Sequence, residues 1–101
     1  MMNNISKTEL KALFESVGWA QGMTAEELYD AVKHFSHYIF ERADDGFLIG
    51  FARSMDDGIY SANIDIVVVH SMYQGRDIAK RMILRLLKQL EKVKYISVSP
   101  N

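Results

Sequence analysis

A strand, a turn and an amphipathic helix follow one another between Ile64 and Leu90, and this succession constrains the fold more than any other part of the chain. The mostly β-branched run 64–69 predicts a strand, and the segment 95–98 predicts a second, short strand. Between them, an apolar face at helical spacing predicts a helix over 78–90: Ile78, Ala79, Met82, Ile83, Leu86, Leu87 and Leu90. A strand, a helix and a strand in this order form a crossover unit, so the two strands should be parallel.

Two helices and an antiparallel meander are predicted before that unit. Ser6 can cap a helix over 7–17, and Thr24 with Glu27 has the spacing of a capping box for a second helix. Turn signals at 44–46 and 56–58 separate three strand-like segments, which are 38–41, 47–53 and 59–70. The sequence therefore predicts an α+β fold in one domain, residues 1–101: two N-terminal helices, an antiparallel meander, then β-α-β with a parallel final strand.

Composition and charge exclude several classes of protein. Twelve Lys and Arg against 13 Asp and Glu give a net charge of -1, so no whole-protein field attracts nucleic acid. The absence of cysteine excludes a disulfide scaffold, a zinc site built on thiolates and a cysteine nucleophile. No spacing of His, Asp or Glu indicates a metal site. Without a signal-peptide pattern or an apolar run of membrane-spanning length, we expect a cytoplasmic protein with neither nucleic acid nor membrane as a partner.

The turn between the central strand and the long helix has the features of an anion site. Backbone N–H groups at the start of a helix, together with the helix dipole, favour a negatively charged ligand. Gly75 allows that ligand to approach the backbone closely, and Arg76 and Lys80 add positive charge to the same rim. Because many strand-to-helix turns carry one glycine and a basic residue, a purely structural role remains an equal alternative on these features alone.

The segment 67–79, with the sequence Val-Val-Val-His-Ser-Met-Tyr-Gln-Gly-Arg-Asp-Ile-Ala, resembles the acetyl-CoA motif of GNAT N-acetyltransferases. In that family an apolar strand leads into a Gln/Arg-x-x-Gly-x-Gly/Ala turn. The order of elements is also similar, as are Val17-Gly18-Trp19 after the first helix and Asp57-Gly58 before the motif strand. The resemblance extends over nearly the whole chain.

The resemblance implies an N-acetyltransferase that binds acetyl-CoA where the motif strand and the next parallel strand diverge. The backbone of Val67, Val68 and Val69 would pair with the pantetheine arm, and an amide near Val68 or Val69 would stabilise the oxyanion. A primary amine would attack the thioester directly. The amides that would hold the pyrophosphate are those of Gln74, Gly75, Arg76, Asp77, Ile78, Ala79 and Lys80.

Asp77 departs from the family pattern, which usually has glycine at this position. A carboxylate in the first turn of a helix suits the helix dipole, and this structural role is the simpler interpretation. If the same carboxylate faces the pyrophosphate, it repels the ligand and weakens coenzyme A binding.

Asp65 is the candidate catalytic base. Strand alternation predicts that Asn63, Asp65, Val67 and Val69 share one face, so that Asp65 overlooks the acceptor site and takes a proton, directly or through water. An exposed or capped strand Asp is the structural alternative, and close relatives often carry the acid one residue later, where this chain has Ile66. The histidines His34, His37 and His70 are weaker candidates, because isolated histidines are more often surface or packing residues.

The family domain normally continues beyond the last predicted strand, with a further helix and two strands that carry a tyrosine acid and one wall of the acceptor pocket. The resemblance therefore implies a C-terminally short domain, in which none of Tyr60, Tyr73 and Tyr95 can be assigned that tyrosine's role. Two functions stay open: an acetyltransferase acting on an unidentified amine, or a non-catalytic coenzyme A-binding or interaction module. In either case the uncovered last strand predicts a homodimer through the open sheet edge.

Overall fold

In the computed structural model, which describes residues 2–99, three helices and four strands form an α+β fold. The elements are α1 (Lys7–Glu15), α2 (Ala25–Val32), β1 (His37–Arg42), β2 (Leu48–Asp56), β3 (Ser61–Val69), a short 3-10 turn (Ser71–Tyr73), α3 (Ile78–Gln89) and β4 (Tyr95–Val98). Met1, Pro100 and Asn101, the ends of the predicted domain, lie outside the described residues. Within 2–99, no helix has both the length and the apolar character needed to cross a membrane.

The sheet has the order β1-β2-β3-β4, in which the first three strands are antiparallel and β4 is parallel to β3. The predicted fold class is therefore confirmed. Both helix-capping predictions are confirmed as well. The Ser6 hydroxyl accepts from the Glu9 N–H at 3.2 Å, the Thr24 hydroxyl accepts from the Glu27 N–H at 3.1 Å, and each glutamate accepts from its capping residue's N–H.

Several predicted boundaries differ from the structure: β1 is longer at both ends, β2 continues to Asp56 rather than Arg53, and three further differences have a local cause. Helix α1 ends at Glu15 rather than Val17, because the backbone hydrogen bonds there span three residues instead of four and Gly18 follows at φ +79°. Strand β3 begins at Ser61 rather than Ile59, since the Asp57 carboxylate accepts from three successive N–H groups, at 59, 60 and 61. The strand ends at Val69, because the ring of His70 caps the 3-10 turn by accepting from the Met72 N–H at 3.1 Å.

The sheet separates two apolar clusters. The α1–α2 face carries one cluster, which is Met2, Ile5, Leu10, Leu13, Phe14, Leu28, Tyr29, Val32, Leu48, Phe51 and Val68. The α3 face carries the other, which is Ile39, Ile49, Ala52, Ala62, Ile64, Ile78, Met82, Leu86 and Leu90. Helix α3 packs on β1, β2 and β3, and this contact sets the position of its N-terminus beside the end of β3.

Candidate functional site

Strands β3 and β4 diverge halfway along their length. β4 is paired with Ser61 through Ile64 of β3, and a last hydrogen bond joins the Ser99 N–H to the Ile64 carbonyl at 2.9 Å. Beyond that point β3 is paired only with β2 among the described residues, with Val67 opposite Ala52 and Val69 opposite Gly50. One edge of β3 is thus turned towards a gap in the sheet.

A β-bulge at Asp65 marks the divergence. Ile64 is paired with Ser54 and Ile66 with Arg53, which leaves Asp65 as the extra residue of the β2–β3 pair. The bulge shifts the alternation of side chains, so that Val67 and Val69 pack on the α3 face together with Ala62 and Ile64. The prediction that Val67 and Val69 share a face with Asn63 and Asp65 is therefore wrong, because the period-two rule holds only for uninterrupted pairing.

The backbone of β3 also alternates between its two neighbours. The His70 N–H donates to the Ile49 carbonyl of β2 at 2.8 Å, so alternation directs the backbone groups of Val68 to β2 and those of Val67 and Val69 to the gap. In agreement, the Val69 carbonyl accepts from the Gln74 amide at 3.3 Å, across the mouth of the gap. The backbone groups of Val67 and Val69 therefore face the gap. The side chain of Val68, by contrast, is buried on the α1–α2 face.

A cavity of about 450 Å³ occupies the space between this edge of β3 and the start of α3. Eight of the ten predicted cofactor-binding residues line this first pocket, whereas Val68 and Arg76 do not. Tyr73, which the sequence motif did not single out, also belongs to the lining. The lining residues are Val67, Val69, Tyr73, Gln74, Gly75, Asp77, Ile78, Ala79 and Lys80.

The turn before α3 adopts two left-handed backbone conformations. Gly75 has φ +81° and Asp77, the N-cap of α3, has φ +61°. The Asp77 side chain makes no capping hydrogen bond, and the Arg81 N–H donates the first helical bond, to the Asp77 carbonyl at 3.0 Å. The N–H groups of the first turn of α3 have no partner within the helix, and they lie beside the first pocket.

Positive charge surrounds this turn. Lys80 lines the first pocket. The Arg76 guanidinium stands over the Tyr73 ring, 5.0 Å from its centroid. Arg81 is held by Glu41 at 2.7 Å, and this hydrogen bond raises the pKa of the Arg81 guanidinium. An anion bound at the first turn of α3 would therefore lie near the basic side chains of Lys80 and Arg76, with Asp77 in the same lining.

Asp65 lies on the other side of the sheet from the first pocket. Its two carboxylate oxygens accept from Arg53, at 3.0 Å from Nε and 2.9 Å from Nη2. The remaining nitrogen of Arg53 donates to three carbonyl groups at the end of α2, those of Ala31, Val32 and His34. The ion pair thus connects the bulge in β3 to the end of α2, and both oxygens of the candidate base are engaged.

The three histidines lie apart from the first pocket. His37 is 3.0 Å from the Asp56 carboxylate, His70 caps the 3-10 turn, and His34 contributes its carbonyl to Arg53. Within residues 2–99, no cluster of three or more His, Asp or Glu side chains has the arrangement of a metal site.

Comparisons with known proteins agree with this geometry. The sequence model of the acetyltransferase (GNAT) family matches residues 5–101. An uncharacterized N-acetyltransferase, ycf52 of Porphyra purpurea, is 33% identical over 95% of this chain and 56% of its own length. The corresponding protein of Pyropia yezoensis is 32% identical with the same coverage. The chain therefore spans just over half the length of these curated relatives.

Solved structures show the same fold. A GNAT family acetyltransferase from Streptococcus pneumoniae superposes with a TM-score of 0.78 at 21% identity, covering 96% of this chain and 70% of that protein. An aminoglycoside 6'-N-acetyltransferase crystallised with coenzyme A gives a TM-score of 0.65 at 21% identity, covering 84% and 48%. Together with the family match, the diverging strands and the turn before α3 show that the chain belongs to the GNAT acetyltransferase family.

Proposed function

We propose that this chain binds acetyl-CoA and transfers the acetyl group to a primary amine. The observation that carries the proposal is the first pocket, where the backbone of Val67 and Val69 lies beside the first turn of α3. Backbone groups of β3 hold the pantetheine arm as an added strand would, and the N–H groups of residues 74–80 hold the diphosphate. The structure of an aminoglycoside acetyltransferase of the same fold with coenzyme A supports this ligand class.

The transfer is a direct attack of the neutral amine on the thioester carbonyl. The N–C bond forms first and the carbonyl becomes a tetrahedral oxyanion, while the amine loses a proton to a base. Collapse of the oxyanion breaks the C–S bond and releases the thiolate of coenzyme A, which takes up a proton. The Val69 N–H, which strand alternation directs into the gap, stabilises the oxyanion. A backbone donor of this kind adds no side chain to the active site, so the residues around it are free to vary.

Asp65 is the proposed base, and its ion pair with Arg53 defines how it would act. Both oxygens are engaged and lie on the α1–α2 face, so Asp65 takes the proton through a bridging water rather than by direct contact. Asp65→Asn should lower kcat for acetyl transfer at least tenfold and leave the Kd for acetyl-CoA unchanged. If the variant keeps the kcat of the parent, Asp65 serves only to hold Arg53.

A non-catalytic coenzyme A-binding module is the second candidate. The engagement of both Asp65 oxygens favours it, since a carboxylate fixed by a guanidinium is a structural group in many proteins. A thiol-release assay with acetyl-CoA and a panel of amines separates the two functions. Release of coenzyme A that depends on an amine supports the enzyme, whereas binding without release supports the module.

Thermal unfolding with and without acetyl-CoA tests the ligand. At about 100 times its Kd a ligand adds about 2.7 kcal/mol to the free energy of unfolding, which for a domain of this size raises Tm by about 10 °C or more. Pantothenate at the same concentration is the matched control, because it lacks the diphosphate. A folded chain whose Tm does not change at millimolar acetyl-CoA contradicts the assignment.

The partners we propose are the amine acceptor and a second copy of this chain, paired through β4. All four residues of β4 are exposed, with Tyr95 at 54% and Val98 at 50%. The N–H groups of Tyr95 and Ser99 bond to the carbonyls of Tyr60 and Ile64, so alternation directs the backbone of Ile96 and Val98 to the edge that no other strand of residues 2–99 covers. Two copies pair in antiparallel register with Ile96 of one opposite Val98 of the other, which continues the apolar surface of the α3 face.

Light scattering after size-exclusion chromatography tests this pairing. We expect twice the mass of the single chain for the parent and the single mass for Val98→Lys, because lysine on an edge strand opposes strand addition. Leu84→Lys, at a site on α3 that is 55% exposed, is the control and should stay a dimer. A parent of single mass at high micromolar concentration contradicts the pairing.

A further inference from the structure

His70 stands at the junction between β3 and the 3-10 turn that leads to α3. Its backbone still belongs to the sheet, since the His70 N–H donates to the Ile49 carbonyl at 2.8 Å. Its half-buried ring caps the turn, because Nδ1 accepts from the Met72 N–H at 3.1 Å. A backbone N–H can only donate a hydrogen bond, so Nδ1 carries no proton and the ring that caps the turn is neutral.

The three N–H groups of this turn each have one partner. The Ser71 N–H donates to the Ser16 hydroxyl at 3.2 Å, and the Tyr73 N–H donates to the His70 carbonyl at 2.8 Å. A hydroxyl and a carbonyl accept equally well at every physiological pH. Of the three bonds, the central one, from Met72, is the one whose acceptor can gain a proton.

The His70 ring is also in contact with the lining of the first pocket. Its centroid lies 6.0 Å from that of the Tyr73 ring and 5.3 Å from that of the Phe47 ring. Tyr73 and its neighbour Gln74 line the first pocket, and the Gln74 amide donates to the Val69 carbonyl at the mouth of the gap. A displacement of the His70 ring is therefore transmitted to the pocket.

The titratable and charged groups around the ring come from three elements. The turn contributes the Tyr73 phenol and the Arg76 guanidinium, which lies 5.0 Å from the Tyr73 ring. The β1–β2 hairpin contributes Asp45, whose carboxylate accepts from the N–H of residue 47, and the end of α1 contributes the uncharged Ser16 hydroxyl. Within residues 2–99, no ion pair includes His70, so a proton on its ring gains no carboxylate there.

We propose that His70 is a positioning residue of the ligand site and makes ligand binding sensitive to pH. The inference rests on the proposed function and adds a regulation of that same site. Imidazole is the side chain that ordinarily gains its proton between about pH 8 and 5. A proton on Nδ1 would face the Met72 N–H, donor against donor, so the ring leaves the turn and Tyr73 loses its support. Ligand and proton therefore compete, and the affinity falls as the pH falls.

The direction of this effect separates the cap from simple electrostatics. Coenzyme A is an anion, so an imidazolium that acted only through its charge would attract the ligand and strengthen binding as the pH falls. Loss of the cap acts in the opposite sense, because it disorders the turn that carries the pocket lining.

Titration calorimetry with dephospho-coenzyme A between pH 8 and pH 5.5 tests the inference. This ligand keeps the diphosphate but lacks the 3'-phosphate, a monoester that itself titrates near pH 6. For the parent chain, the Kd should rise about threefold to tenfold over this range, as expected for one proton that competes with the ligand. Binding at pH 6 should release a fraction of a proton, which titrations in buffers of different ionisation enthalpy measure.

Two changes at His70 separate the cap from the charge. His70→Asn keeps an oxygen that can accept from the same N–H but does not titrate, so it should bind like the parent at pH 8, keep that Kd at pH 5.5 and release no proton. His70→Ala lacks the acceptor at every pH and should bind at pH 8 as weakly as the parent binds at pH 5.5. His37→Asn is the matched control, because the His37 ring lies 3.0 Å from Asp56 at the opposite end of the sheet, and it should keep the pH profile of the parent.

Each failure has a separate meaning when circular dichroism shows a folded chain. A Kd of the parent that stays constant or falls towards pH 5.5 overturns the inference and leaves the proposed function intact. A pH profile that is unchanged in His70→Asn also overturns it, as does parent-like binding by His70→Ala at pH 8. Absence of binding by coenzyme A and dephospho-coenzyme A alike at pH 8 contradicts the proposed function itself.

Discussion

Asp77 holds a backbone conformation that costs an ordinary residue free energy. At φ +61° a β-carbon crowds the following carbonyl, and Asp is among the few residues that adopt this region at moderate cost. The side chain gains no capping hydrogen bond in return. The family's usual glycine at this position therefore has a structural reason, which the sequence motif alone did not reveal.

Replacement of Asp77 by glycine should improve both stability and ligand binding. We expect the free energy of unfolding to rise by about 0.5–1 kcal/mol, because relief of the left-handed strain exceeds the entropy that glycine adds to the unfolded chain. The Kd for coenzyme A should fall about threefold to tenfold, since a negative charge leaves the proposed diphosphate site. Chemical denaturation and calorimetry measure the two effects.

Asp77→Asn separates the effect of the charge from the effect of the backbone strain. Asparagine removes the charge but keeps the β-carbon, so this variant should show the tighter binding without the full gain in stability. If neither variant changes the Kd for coenzyme A, the Asp77 carboxylate does not face the ligand.

Among the elements, the contact between α3 and the sheet depends on Gly50 of β2. A β-carbon built at Gly50 would lie 3.0 Å from Met82 Sδ and 3.2 Å from Ile78 Cγ2. The missing side chain lets α3 approach the sheet closely, with Met82 fully buried. Because Ile78 begins α3, this contact also positions the first turn that lines the first pocket.

Gly50→Ala should push α3 away from the sheet. We expect a loss of about 1–2 kcal/mol in the free energy of unfolding, the range for overpacking a core, with weaker binding of coenzyme A as a consequence. Denaturant titration of Gly50→Ala, Met82→Ala and the double variant gives the coupling between the two sites. The cost of the alanine should shrink in the Met82→Ala background, and strictly additive costs would contradict the proposed contact.

The sequence predicted the elements better than their distortions. The spacing of apolar residues, the cap at Ser6 and the capping box of Thr24 and Glu27 located the helices, and β4 was predicted over the residues where it lies, Tyr95–Val98. The bulge at Asp65 could not be predicted, because it arises from a register shift between two strands and leaves no pattern in either one. For the same reason, the faces of the sheet on which Asp65 and Val67 lie could be assigned only from the structure.

In the candidate site, too, local features could be predicted from the sequence and contacts between distant segments could not. The turn residues 74–80 were identifiable from a glycine, a helix start and a family motif, all of which are local in sequence. The hollow between Arg76 and the β1–β2 hairpin, which Arg42 and Asp44 also line, brings together residues that are distant in sequence. Contacts of this range are set by packing, which no spacing rule encodes.

On the scale of the whole molecule, Arg42 ties the N-terminus to the sheet. Its guanidinium donates to both Glu9 oxygens at 2.8 and 2.9 Å, to the Asn4 carbonyl at 2.6 Å and to the Gly46 carbonyl at 2.7 Å. The hydrogen bond from Arg42 lowers the pKa of Glu9 to about 2, from an ordinary value of 4.5. One ion pair therefore joins the N-terminal segment, α1 and the β1–β2 hairpin.

The Glu9–Arg42 pair should make the free energy of unfolding depend on pH in the acidic range. Because the folded pKa of Glu9 is below the unfolded one, its stabilisation is complete above about pH 4.5 and is lost as the pH falls towards 2. Glu9→Gln keeps an oxygen for the cap of α1 but removes the charge, and should cost about 1–2 kcal/mol at pH 7. Thermal unfolding of both chains should converge near pH 2, and a constant difference across this range would contradict the assignment.

The division of the core by the sheet has a consequence for the chain during its synthesis. Every member of the α1–α2 cluster lies between Met2 and Val68, whereas the α3 cluster is completed by residues from Ile78 to Leu90. At roughly 5–20 residues per second, the second group emerges about one to four seconds after Val69. For that interval one side of the sheet is already supported by α1 and α2 while the other side exposes Ile39, Ile49 and Ile64 to chaperones and to neighbouring nascent chains.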